Sequence, residues 1–308
     1  MLYGCGTLCS MDMNTVQPSI EQDWETFQPK KVTPVRHRLS SHPLFQFDQL
    51  LQLGARRHAE GELHEVERSA TAGTPFEWHR GAAETLQRIA QKGGWTVLRF
   101  IQHDPVYREL VDTVLDSIKP CIDRKDPGMY GRAGFIFISA RHVVTPFHMD
   151  PEQNFLLQIY GRKRAYVWDP DDEVVVSAAA RDRFHHDGNR ELMPWHEEFR
   201  RRAHVFDLEP GQGIYMPMTS PHMTETGEEL SVTVSFTYYT RWTRRAGMHH
   251  KLRYLCSQRH VKLPEVGKHP MLDRLSWTVL ESLTATRRLG RQMTGRSSDN
   301  HTQPYAQD

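Results

Sequence analysis

Apolar positions along this chain change period twice. Residues 1–36 are polar and proline-punctuated without any period, which predicts a flexible leader. Leu44, Phe47, Leu50, Leu51 and Leu53 then fall at helical spacing and predict an amphipathic helix over residues 43–53. A second helix is expected over 82–90, with Leu86, Ile89 and Ala90 apolar and Gly93-Gly94 as its stop. Residues 95–100 alternate as a strand. Asp104-Pro105 opens a third helix running to Ile118, with Val106, Leu110, Val111, Val114 and Leu115 on one face and Pro120 beyond its end.

From Gly134 the period drops to two. Residues 134–138 read as a buried strand, and 154–160 and 163–168 flank Gly161-Arg162 in the manner of a tight hairpin. Residues 205–208 and 213–216 around Pro210-Gly211 form a second strand–turn–strand unit, and Leu230 to Tyr239 is a long β-branched strand. The stretch 174–202 between them reads as a loop with a short helix near 195–200. Residues 244–289 are helical in pattern, broken at Pro264 and Pro270. The expected organisation is a leader (1–36), N-terminal helical and strand elements packing on the core (37–125), a β core (126–242), a C-terminal helical region (243–290) and a disordered tail (291–308). The fold class is mainly β with flanking helices.

Composition narrows the chemistry. The 308 residues are 38% hydrophobic and 25% charged, with 39 basic against 38 acidic side chains and a net charge of +1. No global field argues for nucleic acid or an anionic membrane, and no apolar run reaches membrane-spanning length. Met1 to Ser10 lacks the basic and apolar segments of a secretory signal. Cys5, Cys9, Cys121 and Cys256 form no CxxC pair, so a reducing cytoplasmic location is expected.

Eighteen histidines supply many metal-like spacings. His148-x-Asp150 shares its i, i+2 spacing with His185-x-Asp187, His196-x-Glu198 and His58-x-Glu60. That spacing puts two side chains on one face only in a strand. His185 to Asp187 sits among Arg, Asp, Gly and Asn and reads as a solvated loop, and His196 to Glu198 lies in an expected helix. His148 and Asp150 lie between two strands. His222 ends a strand in the same block, where a core histidine is the plain alternative, and pairing with His148 and Asp150 favours a ligand. Two histidines and a carboxylate on one face leave the rest of an octahedral Fe(II) open. Lys163 could hold a cosubstrate carboxylate as a point charge, Thr145 could donate a hydroxyl hydrogen bond to it, and Asn154 could orient the metal-bound end.

The run Thr145-Pro-x-His148-x-Asp150-x-x-Gln153-Asn154-Phe155-x-x-Gln158-Ile159-x-Gly161-x-Lys163-Arg164, with Pro210-Gly211, Tyr215-Met216-Pro217 and His222 downstream, resembles the JmjC-type 2-oxoglutarate oxygenases. Within them it is most similar to the group of the asparaginyl hydroxylase that acts on hypoxia-inducible factor, and to that group's bacterial cupin-like members. The resemblance spans about residues 126–242. It implies a double-stranded β-helix (jelly-roll) core, with Fe(II) held by His148, Asp150 and His222. It further implies 2-oxoglutarate on Lys163 and Thr145, with Asn154 beside its metal-bound end and Tyr130 as an assisting hydroxyl. Ser235 stands where the resemblance suggests an asparagine.

The expected activity is therefore an Fe(II)-, 2-oxoglutarate- and O₂-dependent hydroxylation of a protein or peptide side chain, yielding succinate and CO₂. An oxygenase of a free metabolite and a non-catalytic cupin-like binding module are the alternatives. Demethylation would use the same chemistry. The apolar C-terminal helices suit either a homodimer contact or packing back onto the barrel.

Overall fold

The computed structural model describes residues 19–66, 70–74, 79–80, 89, 94–189, 192–269 and several positions between 271 and 282. Its strands, in chain order, are β1 (Ile20–Glu21), β2 (Thr33–His37), β3 (Leu63–Val66), β4 (His79–Arg80), β5 (Trp95–Leu98), β6 (Tyr130–Ser139), β7 (Val144–His148), β8 (Gln153–Tyr160), β9 (Lys163–Val167), β10 (His204–Leu208), β11 (Gln212–Met216), β12 (His222–Thr226) and β13 (Ser231–Tyr239). They form a nine-stranded major sheet, ordered β1-β2-β11-β8-β13-β6-β5-β3-β4, and a four-stranded minor sheet, ordered β10-β9-β12-β7. From β7 to β13 the chain passes repeatedly between the two sheets, which is the winding of a double-stranded β-helix, or jelly roll.

This winding overturns the two expected hairpins. β8 pairs with β11 and β13 in one sheet, whereas β9 pairs with β10 and β12 in the other. Gly161, at φ +68, is thus a corner between sheets, and a Cβ there would collide with the Leu230 carbonyl oxygen. β10 and β11 likewise lie in different sheets. Hairpin chemistry is local, while sheet membership is decided by distant partners.

The helices are α1 (Phe47–Ala59), α2 (Pro105–Asp123), α3 (Ala178–Asp187) and α4 (Arg241–Ser257). Asp104 caps α2, its carboxylate accepting from the Val106 and Tyr107 amides, and Pro105 occupies the first turn, where its missing N–H is not needed. Contrary to expectation, α2 runs through Pro120 to Asp123. The exposed proline faces solvent, and burial of Cys121 and Ile122 holds the last turn. Val111, Val114, Leu115 and Ile118 join Ile136, Ile138, Phe155, Leu157, Val234 and Phe236 in the largest apolar core, on one face of the major sheet.

Residues 19–36, expected to belong to a flexible leader, instead hold β1 and most of β2, which extend the major sheet. β2 pairs with β11, and Phe27 is buried against Tyr215 with ring centroids 4.9 Å apart. The predicted helix over 82–90 falls outside the described residues except at Ile89. After α4, residues 258–269 are not helical, and helical positions recur at 271, 274, 275, 277–279 and 282. Among the described residues no helix is long and apolar enough to cross a membrane.

Candidate metal centre

The face between the two sheets is identified by a cluster drawn from both: Leu156 of β8, Ile214 and Met216 of β11, Ala165 and Val167 of β9, and Leu208 of β10. Alternation along each strand then dictates what else points inward. Lys163 shares the face of Ala165 and Val167, and Asn154 shares that of Leu156. On β13 the cores split cleanly, since Val232, Val234, Phe236 and Tyr238 join the large apolar core. Ser231, Thr233, Ser235 and Thr237 therefore face inward.

His222 opens β12 directly opposite His148, the last residue of β7. Their rings lie 4.0 Å apart, and both are buried. Asp150 follows in the β7–β8 loop, its Oδ2 lying 3.9 Å from His148 Nε2 and 3.6 Å from His222 Nε2. Ligand atoms of all three residues fall within 4.8 Å of one another. Each histidine directs Nδ1 to a backbone carbonyl two residues earlier, His148 to Pro146 at 2.7 Å and His222 to Ser220 at 3.0 Å. With Nδ1–H donating, the lone pair sits on Nε2, the nitrogen that faces Asp150.

Thr145 and His148 are three residues apart, so strict alternation would put them on opposite faces. Between His222 and Thr224 the register shifts: Thr224 opposes Thr145, and β7 carries one more residue than β12 over this step. This β-bulge turns Thr145 to the same side as His148. Phe147 and Met149 pack on the other side with Trp168, Phe184, Phe199 and Met223. The bulge is what lets an i, i+3 pair serve one site.

The loop before His222 carries local strain. Thr219 has φ 61, a left-handed conformation that costs a β-branched residue on the order of 1–3 kcal/mol. Its amide donates to the Asp150 carbonyl at 2.8 Å, and the neighbouring Met218 amide donates to Gln153 Oε1 at 2.9 Å.

Lys163 lies deeper. It opposes Thr226 on β12, four residues along β9 from Val167, which opposes His222. At the rise of a strand this is roughly 13 Å from the level of the triad. Its side chain is 4% exposed, and among the described residues no carboxylate lies within ion-pair distance. Burial pushes its ammonium down to about 7. Thr145 and Thr224 occupy the level between Lys163 and the triad.

On the opposing sheet Asn154 pairs with Thr237, and both are buried. Asn154 Oδ1 and Thr237 Oγ1 have no hydrogen-bond partner among the described residues. Ser235 is buried one inward position further along β13. Tyr130 starts β6 beside Tyr239, with ring centroids 5.7 Å apart, so it lies at the Asn154–Thr237 end of the sheet rather than near Lys163. Thr237 is not apparent from the motif, and Gln153 stands in the motif without an assigned role. The polar stripe Ser231, Thr233, Ser235 and Thr237, alternating with apolar residues on a fully buried strand, was the available signal.

Among the described residues the other HxD-like spacings gather no such set. His185 is not in a solvated loop. It is buried in α3, stacked on His250 of α4 at 4.7 Å, while Asp182 accepts from Arg253 Nε at 2.9 Å and pairs with His250 Nδ1 at 2.7 Å. The polar face of α3 is thus satisfied in part by α4. His196 precedes a 3-10 turn over Glu197–Arg202, and His58 lies in α1.

The residues present fit a resident divalent cation. Two imidazole nitrogens with lone pairs turned toward one carboxylate form a mixed N,O set on a single side, which suits Fe(II) with open positions. A buried cation without a carboxylate partner, in the same barrel, suits an anionic cosubstrate.

Comparison with known proteins agrees with this architecture. The profile of the cupin-like domain matches residues 101–244. The HSPB1-associated protein 1 homolog of Danio rerio is 29% identical over 117 residues, covering 35% of this chain and 26% of that protein, so the chain spans about a quarter of its length. The X-ray structure of E. coli ycfD aligns with a TM-score of 0.50 and 17% identity, over 87% of this chain and 69% of that one. That likeness is one of fold. YcfD of Escherichia coli in complex with cobalt and 2-oxoglutarate, described as a ribosomal oxygenase, aligns at TM-score 0.45 and 16% identity over 84% and 65% of the two chains. Residues 101–244 are thus similar to the cupin-like domain, in keeping with the alternating two-sheet winding.

Proposed function

We propose that this protein is an Fe(II)- and 2-oxoglutarate-dependent oxygenase that hydroxylates a protein or peptide side chain. The observation that carries the reading is the convergence of His148, Asp150 and His222 at one end of a barrel whose interior holds the buried, carboxylate-free Lys163. When bound, Fe(II) supplies the redox chemistry that couples O₂ to conversion of 2-oxoglutarate into succinate and CO₂, with one oxygen atom passing to the substrate.

The chain's own residues bind, orient and exclude water. The two Nδ1–carbonyl hydrogen bonds hold the His148 and His222 rings with Nε2 toward the ion. Lys163 takes the distal carboxylate of 2-oxoglutarate, and Thr145 donates its hydroxyl to the same group. The spacing of Lys163 from the triad is one that a lysine side chain and a short dicarboxylate can span together. Asn154 and Thr237, with buried polar atoms awaiting partners, flank the metal-bound end, and Ser235 and Tyr130 border it. The flanking apolar side chains Leu156, Val167 and Met216 keep the site dry.

A protein or peptide target rests on the resemblance of the Thr145–Arg164 run to the asparaginyl hydroxylase group. A cytoplasmic location suits Cys121 and Cys256, neither of which forms a disulfide among the described residues. Exposed Met271, Leu275 and Val279, spaced by four, support a homodimer contact through the C-terminal region. The test is succinate formation from 2-oxoglutarate with Fe(II) and air, with and without candidate peptides analysed by mass spectrometry for a gain of one oxygen. Wild-type protein turns over 2-oxoglutarate, and His148→Ala and Asp150→Ala do not. Persistent turnover in either variant refutes the assignment.

A further inference from the structure

Gln153 stands outside the triad and is completely buried. Its Nε2 donates to Asp126 Oδ2 at 3.1 Å and more weakly to the Pro29 carbonyl at 3.4 Å, while its Oε1 accepts from the Met218 amide at 2.9 Å. The partners dictate the orientation of the amide. A flipped Gln153 would set oxygen against the Asp126 carboxylate and N–H against the Met218 N–H. Asp126 is itself 3% exposed.

The next two residues of the same turn touch the triad. Thr219, in its left-handed conformation, donates its amide to the Asp150 carbonyl, and the Ser220 carbonyl accepts from His222 Nδ1. Met218, Thr219 and Ser220 therefore grip, in order, Gln153, Asp150 and His222. A strained turn holds a strained geometry only where its surroundings over-determine it. Gln153 is the side chain that fastens this turn to the body of the major sheet.

We propose that Gln153, anchored on Asp126, is a positioning residue that sets the 218–220 turn, and through it the aim of the His222 ring and the placement of Asp150. The inference rests on the metal reading of the triad. Outer hydrogen-bond partners of metal ligands typically govern affinity by about 10–100-fold.

The test is anaerobic titration of the full chain with Mn(II), followed by electron paramagnetic resonance. Gln153→Glu places two carboxylates face to face and is expected to raise the Mn(II) Kd by about 10–100-fold. Adding Asp126→Asn exchanges acid and amide. The new amide at position 126 then donates to the new carboxylate at position 153, whose second oxygen still accepts from the Met218 amide, and affinity returns to near the wild-type value. Gln153→Met, uncharged and of similar length, is expected to show the same loss and covers the case in which the Glu variant does not fold. Wild-type Mn(II) affinity in folded Gln153→Met or Gln153→Glu overturns the proposal, as does a folded double variant that stays as weak as the single one. Absence of Mn(II) binding by the wild-type chain would instead overturn the metal reading itself.

Discussion

Lys163→Met should make the ligand-free protein more stable while removing its cosubstrate site. In the fold the ammonium is held down to about 7 from an ordinary 10.5, with burial as the cause. At about 1.36 kcal/mol per pH unit, carrying this charge in the ligand-free state at neutral pH costs on the order of 5 kcal/mol. The unfolded lysine keeps its proton to about pH 10, whereas the folded one loses it near 7. Between those values the unfolded chain binds more protons, so ligand-free stability rises with pH over that window. Methionine keeps the length and removes the charge, and such exchanges of buried ionic groups for apolar ones gain about 1–4 kcal/mol. Thermal unfolding at pH 7 without ligand should therefore show a Tm roughly 5–10 °C above wild type. Calorimetric titration of the Mn(II)-loaded variant with 2-oxoglutarate should show at least about a hundredfold weaker binding, in keeping with a lost charge-assisted pair. In the wild type, binding should take up a proton above pH 7, with affinity falling about tenfold per pH unit. A variant less stable than wild type at pH 7, or one that binds 2-oxoglutarate unchanged, refutes an unpaired buried ammonium at this position.

Two further outcomes follow from the fold. Gly161→Ala sets a Cβ against the Leu230 carbonyl at a positive φ, and urea unfolding should show a loss of at least about 2 kcal/mol. Sedimentation velocity should show a dimer that Leu275→Glu converts to monomer, and a wild-type monomer at all concentrations removes the C-terminal contact.

Much of the site could be read from the residues because its parts lie on alternating strands. His148, Asp150 and His222 stood out once their strand context was separated from the equivalent spacing at His185. Other parts depend on partners that no local pattern contains. Gly161-Arg162 carries hairpin chemistry, yet β8 and β9 find their partners far along the chain, in β10 to β13. Helix α3 has no apolar stripe to betray it, because its buried face includes Arg181, Asp182 and His185, satisfied in part by α4. Pro120 reads as a stop, and the packing of Ile122 overrode it. Thr145 shares a side with His148 only through a one-residue bulge, a feature of pairing rather than of composition.

The opposition of His148 and His222 also bears on how the molecule reaches its native state. These two ligands meet only after β7 and β12 have paired across the intervening chain, which itself builds β8 to β11. Pairings of such long sequence separation form slowly, because loop-closure entropy is lost before contacts reward it. The ion-binding set therefore exists only once β7 and β12 have paired, and a chain without that pairing has no site to load. A divalent cation that binds the native state alone would then raise stability by RT ln(1 + c/Kd), with c its free concentration, so stability would keep rising with the logarithm of that concentration after the site is full.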